Sequence, residues 1–167
     1  SDMGLVNNED PSARDRVVIL EVTDQASYDA GHIAGAQLFS TSTLSMTRLE
    51  GLAPAGSMVI DGASMDALIQ RTGIDQDTTI VFTTARTSSA YYATRAYWTF
   101  RYWGFPSERL KYLDGFDKDL AVQYPDLITT TAPVVTASSY SVQDIGGTKP
   151  DLRMSIGEMI GAVKAGT

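Results

Sequence analysis

Two short, uninterrupted apolar runs constrain this chain more than anything else in it: Val17-Val18-Ile19-Leu20 and Thr79-Ile80-Val81-Phe82-Thr83. A strand with one wet face alternates apolar and polar residues, so a continuous run reads as a strand buried on both faces, as in a parallel sheet covered by helices. The second run follows Asp75-Gln76-Asp77 and leads into Ser88-Ser89, where helical spacing begins, which makes a strand-loop-helix unit. The helix expected from Ala90 to Trp103 carries seven of the fifteen aromatic residues, and Gly104 supplies its stop. Leu110 to Leu113 reads as another buried strand, closed by Asp114-Gly115. Shorter elements fill the gaps: a turn of helix at Ala26–Ala30, strands near Ala36–Phe39 and Met58–Ile60, and a helix at Ser64–Arg71. Strands alternating with helices in this way predict an α/β fold, a central parallel sheet of about five strands with helices on both faces.

The flanks differ in character. Residues 1–16 are polar, with Ser1-Asp2-Met3 reading as a tag remnant, and are expected to be a loose lead-in. Residues 17–128 hold the α/β pattern, and 129–154, opening with the β-branched and Ser-rich Thr129 to Ser141, read as an extended linker. Residues 155–167 resume helical spacing: Ser155 caps, Glu158 follows three positions later, and Ile156, Met159, Ile160 and Val163 line one stripe. This reads as the first helix of a truncated second domain.

Composition removes many chemistries. The 167 residues contain no cysteine and one histidine, His32, so disulfides, thiolate nucleophiles, Fe–S clusters and the usual zinc sites are excluded; no metal and no cofactor is expected. A formal charge of −7 repels phosphate backbones and argues against general nucleic-acid binding. No run of about 18 apolar residues suggests a membrane span. GxGxxG, GxxxxGK[ST] and GxSxG are all missing, and Gly146-Gly147-Thr148-Lys149 reads as a turn in the linker. His32, bracketed by Gly31 and Gly35, reads as a structural imidazole bonded to neighbouring backbone. The aromatic helix, with Arg95 and Arg101, reads as core packing in preference to a base-stacking platform. The loop Thr84, Ala85, Arg86, Thr87, Ser88, Ser89 lies between the end of a buried strand and a helix N-terminus, a place suited to an anion. There Arg86 offers a fork of donors and Ser88 or Ser89 a hydroxyl.

The strings Glu21-Val22-Thr23, Tyr28-x-x-Gly31-His32-Ile33-x-Gly35-Ala36, Ile80 to Thr84 and Leu113-Asp114-Gly115 give the chain a resemblance to the rhodanese (thiosulfate sulfurtransferase) family over about residues 17–124. In particular, the aromatic helix is similar to that of the first domain of tandem rhodaneses. The resemblance implies a rhodanese-like fold with Glu21, His32, Asp114 and Gly115 as structural motif residues. It also implies sulfane-sulfur transfer through a persulfide on a cysteine that opens the loop after the central strand. That place holds Thr83 or Thr84 here, and a threonine hydroxyl has neither the acidity nor the soft sulfur to carry a persulfide. Other departures agree: Glu21-Val22-Thr23 replaces the family's Asp-x-Arg, Phe116 its second glycine and Leu120 its tryptophan.

Three readings follow. The first is a catalytically silent rhodanese-like domain of a tandem thiosulfate sulfurtransferase, whose partner is a second, cysteine-bearing rhodanese-like domain of the same chain. A stand-alone regulatory module binding thiosulfate or another small anion is the second. The third is a sulfurtransferase whose cysteine was engineered away. The family's setting would be bacterial cytoplasm or periplasm, and missing thiols fit either.

Overall fold

A computed structural model describes residues 16–85, 88–113 and 121–166. The chain opens with β1 (Arg16–Thr23), followed by a short α1 (Gln25–Asp29) and the two-residue β2 (His32–Ile33). Next come β3 (Ala36–Ser40), β4 (Met46–Glu50), β5 (Ala53–Met58) and α2 (Gly62–Arg71). Then follow β6 (Thr78–Thr83), α3 (Ala90–Tyr102), β7 (Leu110–Tyr112), β8 (Ile128–Thr129) and α4 (Ile156–Ala165).

Four strands form the parallel sheet in the order β3-β1-β6-β7, with Leu20 opposite Phe82 at its centre. Both apolar runs are therefore inner strands, paired on both sides, with Val18, Leu20, Ile80 and Phe82 fully buried on one face and Val17, Ile19 and Val81 half-buried on the other. Alternate residues Val18, Leu20 and Val22 join Phe39, Ile80 and Phe82 in one core with Met65, Leu68 and Ile69 of α2 and Ala93, Ala96 and Phe100 of α3. Phe100 sits at its middle, with ring centroids 5.2 Å from Phe82, 6.3 Å from Phe39 and 5.0 Å from Phe105. The opposite face carries α1 and Glu21, to which the Ile33 amide donates.

The sheet has four strands among the described residues instead of about five, because the stretch expected near Met58–Ile60 does something else. Met58 ends β5, which pairs antiparallel with β4 as a separate two-stranded ribbon. Val59 and Ile60 are buried without joining a ladder, since the Asp61 carboxylate caps α2 at once by accepting from the Ser64 amide at 2.8 Å. Ser57 takes a positive φ of 56° just before, turning the ribbon away from the sheet.

The stretch expected to be extended over 129–154 is without regular structure over 131–141 but forms short 3-10 turns at Val142–Ile145 and Pro150–Leu152, and it lies against the domain. The Ser138 amide and hydroxyl donate to Gln70 O and Ile74 O, and Gln70 Nε2 donates to Tyr140 O. Asp66 accepts from Ser141 Oγ at 2.9 Å and from the Val142 amide at 2.7 Å, and Val142 is buried in the main core. Gly146 and Gly147 turn with positive φ, and Lys149 N donates to Tyr102 O. Gly104, at φ +96° past the end of α3, lies so close to this segment that a Cβ there would stand 2.7 Å from Gly147 O. Trp98, expected to be mostly buried within the aromatic helix, is half-buried: Tyr102 stacks on it with centroids 5.7 Å apart, Arg95 lies 4.8 Å from its ring, and its indole donates to Leu152 O at 3.2 Å.

Candidate functional site

In the order β3-β1-β6-β7 the chain leaves β1 first to one side and then to the other, so the sheet reverses between β1 and β6. Open parallel sheets hold ligands in the crevice at the C-terminal ends of the strands flanking such a point. Here those ends are Thr23 and Thr83, with Glu21 in register opposite Thr83. The register alone makes this site, since the residues come from strands far apart in sequence.

From β6 the chain passes through Thr84 and Ala85 to Ser88 and Ser89, which lead into α3. Thr83 and Thr84 are wholly inaccessible to solvent, and neither Oγ1 finds a hydrogen-bond partner among the described residues. Most buried hydroxyls in folded proteins have a partner, so two adjacent orphans at a strand end mark a place where water or a ligand completes the bonding. Ser88 Oγ lies 2.6 Å from Thr23 Oγ1, tying the loop to the end of β1, and the Ser88 amide donates to Ala85 O. Ser89 is the N-cap residue of α3, but its side chain makes no capping bond. The first-turn amides of this 13-residue helix are thus not closed off by the Ser89 hydroxyl, and the positive end of its dipole faces the loop. Of the expected anion loop, Thr84, Ser88 and Ser89 gather at this edge, while Arg86 and Thr87 lie outside the described residues.

Below the crevice the string Tyr28 to Ala36 folds into a locked turn. Asp24 caps α1 by accepting from the Ser27 amide at 2.9 Å, a bond that holds its carboxyl below the ordinary range. Tyr28 and His32 stack with centroids 3.7 Å apart and rings within 5° of parallel. The Tyr28 hydroxyl donates to Ala36 O at 2.6 Å, and burial, with the Glu21 and Asp29 charges adding to it, pushes its pKa up to about 12. His32 is fully buried; Nδ1 is 2.9 Å from Tyr28 O and Nε2 3.2 Å from Thr131 O, so the ring bridges the turn to the chain beyond β8. Its β2 strand also pairs with β8, His32 opposite Thr129. The imidazole is held between two backbone carbonyls. Asp114 and Gly115 lie outside the described residues.

Sequence reasoning flagged Glu21 and Ser88 but missed Thr23 as the partner of Ser88. The two are 65 residues apart, and only the β1–β6 register brings them together. No cluster of three or more His, Asp or Glu among the described residues could hold a metal ion, and none of the helices there is long and apolar enough to cross a membrane.

A four-stranded parallel sheet with its crevice at the β1–β6 switch point, in a chain without cysteine, defines an open α/β domain. The sequence model of the Rhodanese-like domain matches residues 8–118, and the chain belongs to that family. The structure reported as "Crystal structure of YnjE" is similar over 80% of this chain, with a TM-score of 0.59 at 21% identity, a level that speaks for the fold alone. The match covers 29% of YnjE, so this chain spans less than a third of that protein. No curated protein matches the chain.

Proposed function

We propose that this chain is the catalytically silent rhodanese-like domain of a tandem sulfurtransferase, a scaffold for a second domain that carries the persulfide-forming cysteine. The observation behind this reading is that no cysteine occurs anywhere in the 167 residues; Thr83 and Thr84 stand at the end of β6, where the resemblance puts the nucleophile. A hydroxyl there cannot hold sulfane sulfur, so sulfur transfer would require a thiolate from elsewhere in the protein. Two features support the tandem context. YnjE, a fold relative, is more than three times as long as the matched stretch. In addition, α4 begins with a complete capping box at Ser155 and Glu158, yet buries none of its residues here. The test is sulfane-sulfur transfer from thiosulfate to cyanide, measured on this chain and on the natural-length gene product. The reading expects activity in the longer protein only, abolished by replacing a cysteine encoded after residue 167. A natural-length product without such a cysteine would end it.

A second reading, an anion-binding module, is favoured by the orphan hydroxyls of Thr83 and Thr84 beside the α3 N-terminus. It expects the backbone amides of Ser88 and Ser89 to shift and saturate when sulfate or thiosulfate is titrated. Flat shifts would remove it.

A further inference from the structure

We propose that the groove between α2 and the turn after β3 is a binding site for a small organic carboxylate, its charge held by Arg71 and its apolar body lying along the helix. This stands independently of the sulfur chemistry and of any further domain. Ser64, Ala67, Leu68 and Arg71 recur at helical spacing and present one face of α2 to the groove, which encloses about 340 Å³. Two turns of helix separate Ser64 from Arg71, a length of about 10 Å. Ser42, Thr43, Ser45 and Met46 line the facing wall, and the buried Ile60 completes the lining.

Arg71 is the one charged residue in that lining. Arg16, Arg48, Arg95, Arg101, Arg109 and Arg153 each bond to a carboxylate or a backbone carbonyl, whereas Arg71 has no such partner among the described residues. Nor does the end of its own helix occupy it. The last carbonyls of α2 are already taken: Leu68 O accepts from the Thr72 amide and hydroxyl, Ile69 O from the Ile74 amide and Gln70 O from the Gly73 amide. Arg71 also borders a second groove, lined in part by Ala132, Pro133 and Val135, but the polar side chains there are engaged. Gln25 Nε2 donates to Asp29, the Tyr28 hydroxyl to Ala36 O and Gln37 Nε2 to Thr72 O. In the first groove Ser45, like Arg71, makes no side-chain bond among the described residues.

The chemistry of the lining selects the ligand. A guanidinium takes a carboxylate through two parallel bonds. One cation balances one negative charge, and a chain of formal charge −7 disfavours a dianion such as a phosphate monoester. At the far end the Asp61 carboxylate accepts from the Ser64 amide, which disfavours a second anionic group there. Between the two ends Met46, Ile60, Ala67 and Leu68 offer apolar surface, the combination of apolar walls and a few polar groups that small-molecule sites use. The ligand is therefore a monoanion with an apolar body no longer than about 10 Å.

The test is titration of this chain with 3-phenylpropionate, followed by backbone amide shifts. Amides of residues 42–46 and 67–71 should move together and saturate at concentrations on the order of millimolar. The neutral 3-phenylpropionamide reads the charge without any substitution and should bind about tenfold more weakly or worse. Arg71→Gln should weaken the acid to the same extent. Ala67→Leu, which fills the groove but keeps the guanidinium, should do so as well; both positions are exposed, so the melting temperature should hold. Flat shifts would overturn the proposal, as would an amide that binds as tightly as the acid or Ala67→Leu binding like the parent chain. Inorganic sulfate moving the same amides as strongly would show an anion spot that does not recognise the body, and shifts confined to residues 132–135 would place the ligand in the other groove; either result also overturns it.

Discussion

A hydroxyl sealed inside a protein without a partner costs about 1–3 kcal/mol, and Thr83 and Thr84 place two side by side at the end of β6. Valine has nearly the same shape and no such demand. Thr83→Val and Thr84→Val are therefore expected to leave the ligand-free protein as stable or more stable, by up to about 1 kcal/mol each in urea denaturation. If the anion reading holds, Thr84→Val also weakens the sulfate response. A loss of 2 kcal/mol or more in the absence of ligand, about the worth of a satisfied buried hydroxyl, would show that these hydroxyls already have partners. Tyr28 gives a pH test. Its neutral form is favoured in the fold, with the pKa pushed up from 10.0 to about 12 by burial, then by Glu21 and Asp29. Its contribution is therefore fully present below pH 10 and is lost as pH rises from 10 towards 12, where the unfolded chain ionises first, by of order 2 kcal/mol. Tyr28→Phe, lacking the bond to Ala36 O, should be about 1 kcal/mol less stable at neutral pH but fall less steeply across that alkaline window. Denaturation midpoints between pH 8 and 12 check both parts.

At the scale of elements, the segment after β8 acts as a strap. Its hold on α2 passes through Asp66, which accepts from both Ser141 and Val142. Asp66→Ala should cost about 2 kcal/mol by removing a charged acceptor from two donors and loosening Val142 from the core, with faster proteolysis between residues 133 and 149 as its signature. Unchanged stability would show the strap to be held elsewhere. The legibility of these elements follows from their surroundings. β1 and β6 were readable because burial on both faces removes every polar residue from their middles, and α3 because Ser89 and Gly104 bracket it. The hairpin was not: Ala53-Pro54-Ala55-Gly56 has low strand propensity, and with neither face buried there is no alternation to read. The strap's contacts were equally hidden, since Thr129 to Ser141 has no period and its bonds run to distant residues, the Gln70 and Ile74 carbonyls and the Asp66 carboxylate. The bond from the Trp98 indole to Leu152 O, 54 residues away, is hidden in the same way. At the site, the loop and its hydroxyls were visible in the string after β6, whereas the Thr23–Ser88 contact needed the register.

Across the whole molecule, the rhodanese-like fold is built from a chain that contains no cysteine. Phe100 packs against Phe82 of β6, Phe39 of β3 and Phe105, and Phe100→Ala is expected to cost about 3–5 kcal/mol by opening a cavity at the point where α3 meets the sheet. The most direct test is thiocyanate formation from thiosulfate and cyanide by this 167-residue chain, set beside the natural-length protein. The account expects the chain to match buffer at every protein concentration and the longer protein to turn over through its own cysteine. Thiocyanate that rises in proportion to the concentration of this cysteine-free chain would contradict it.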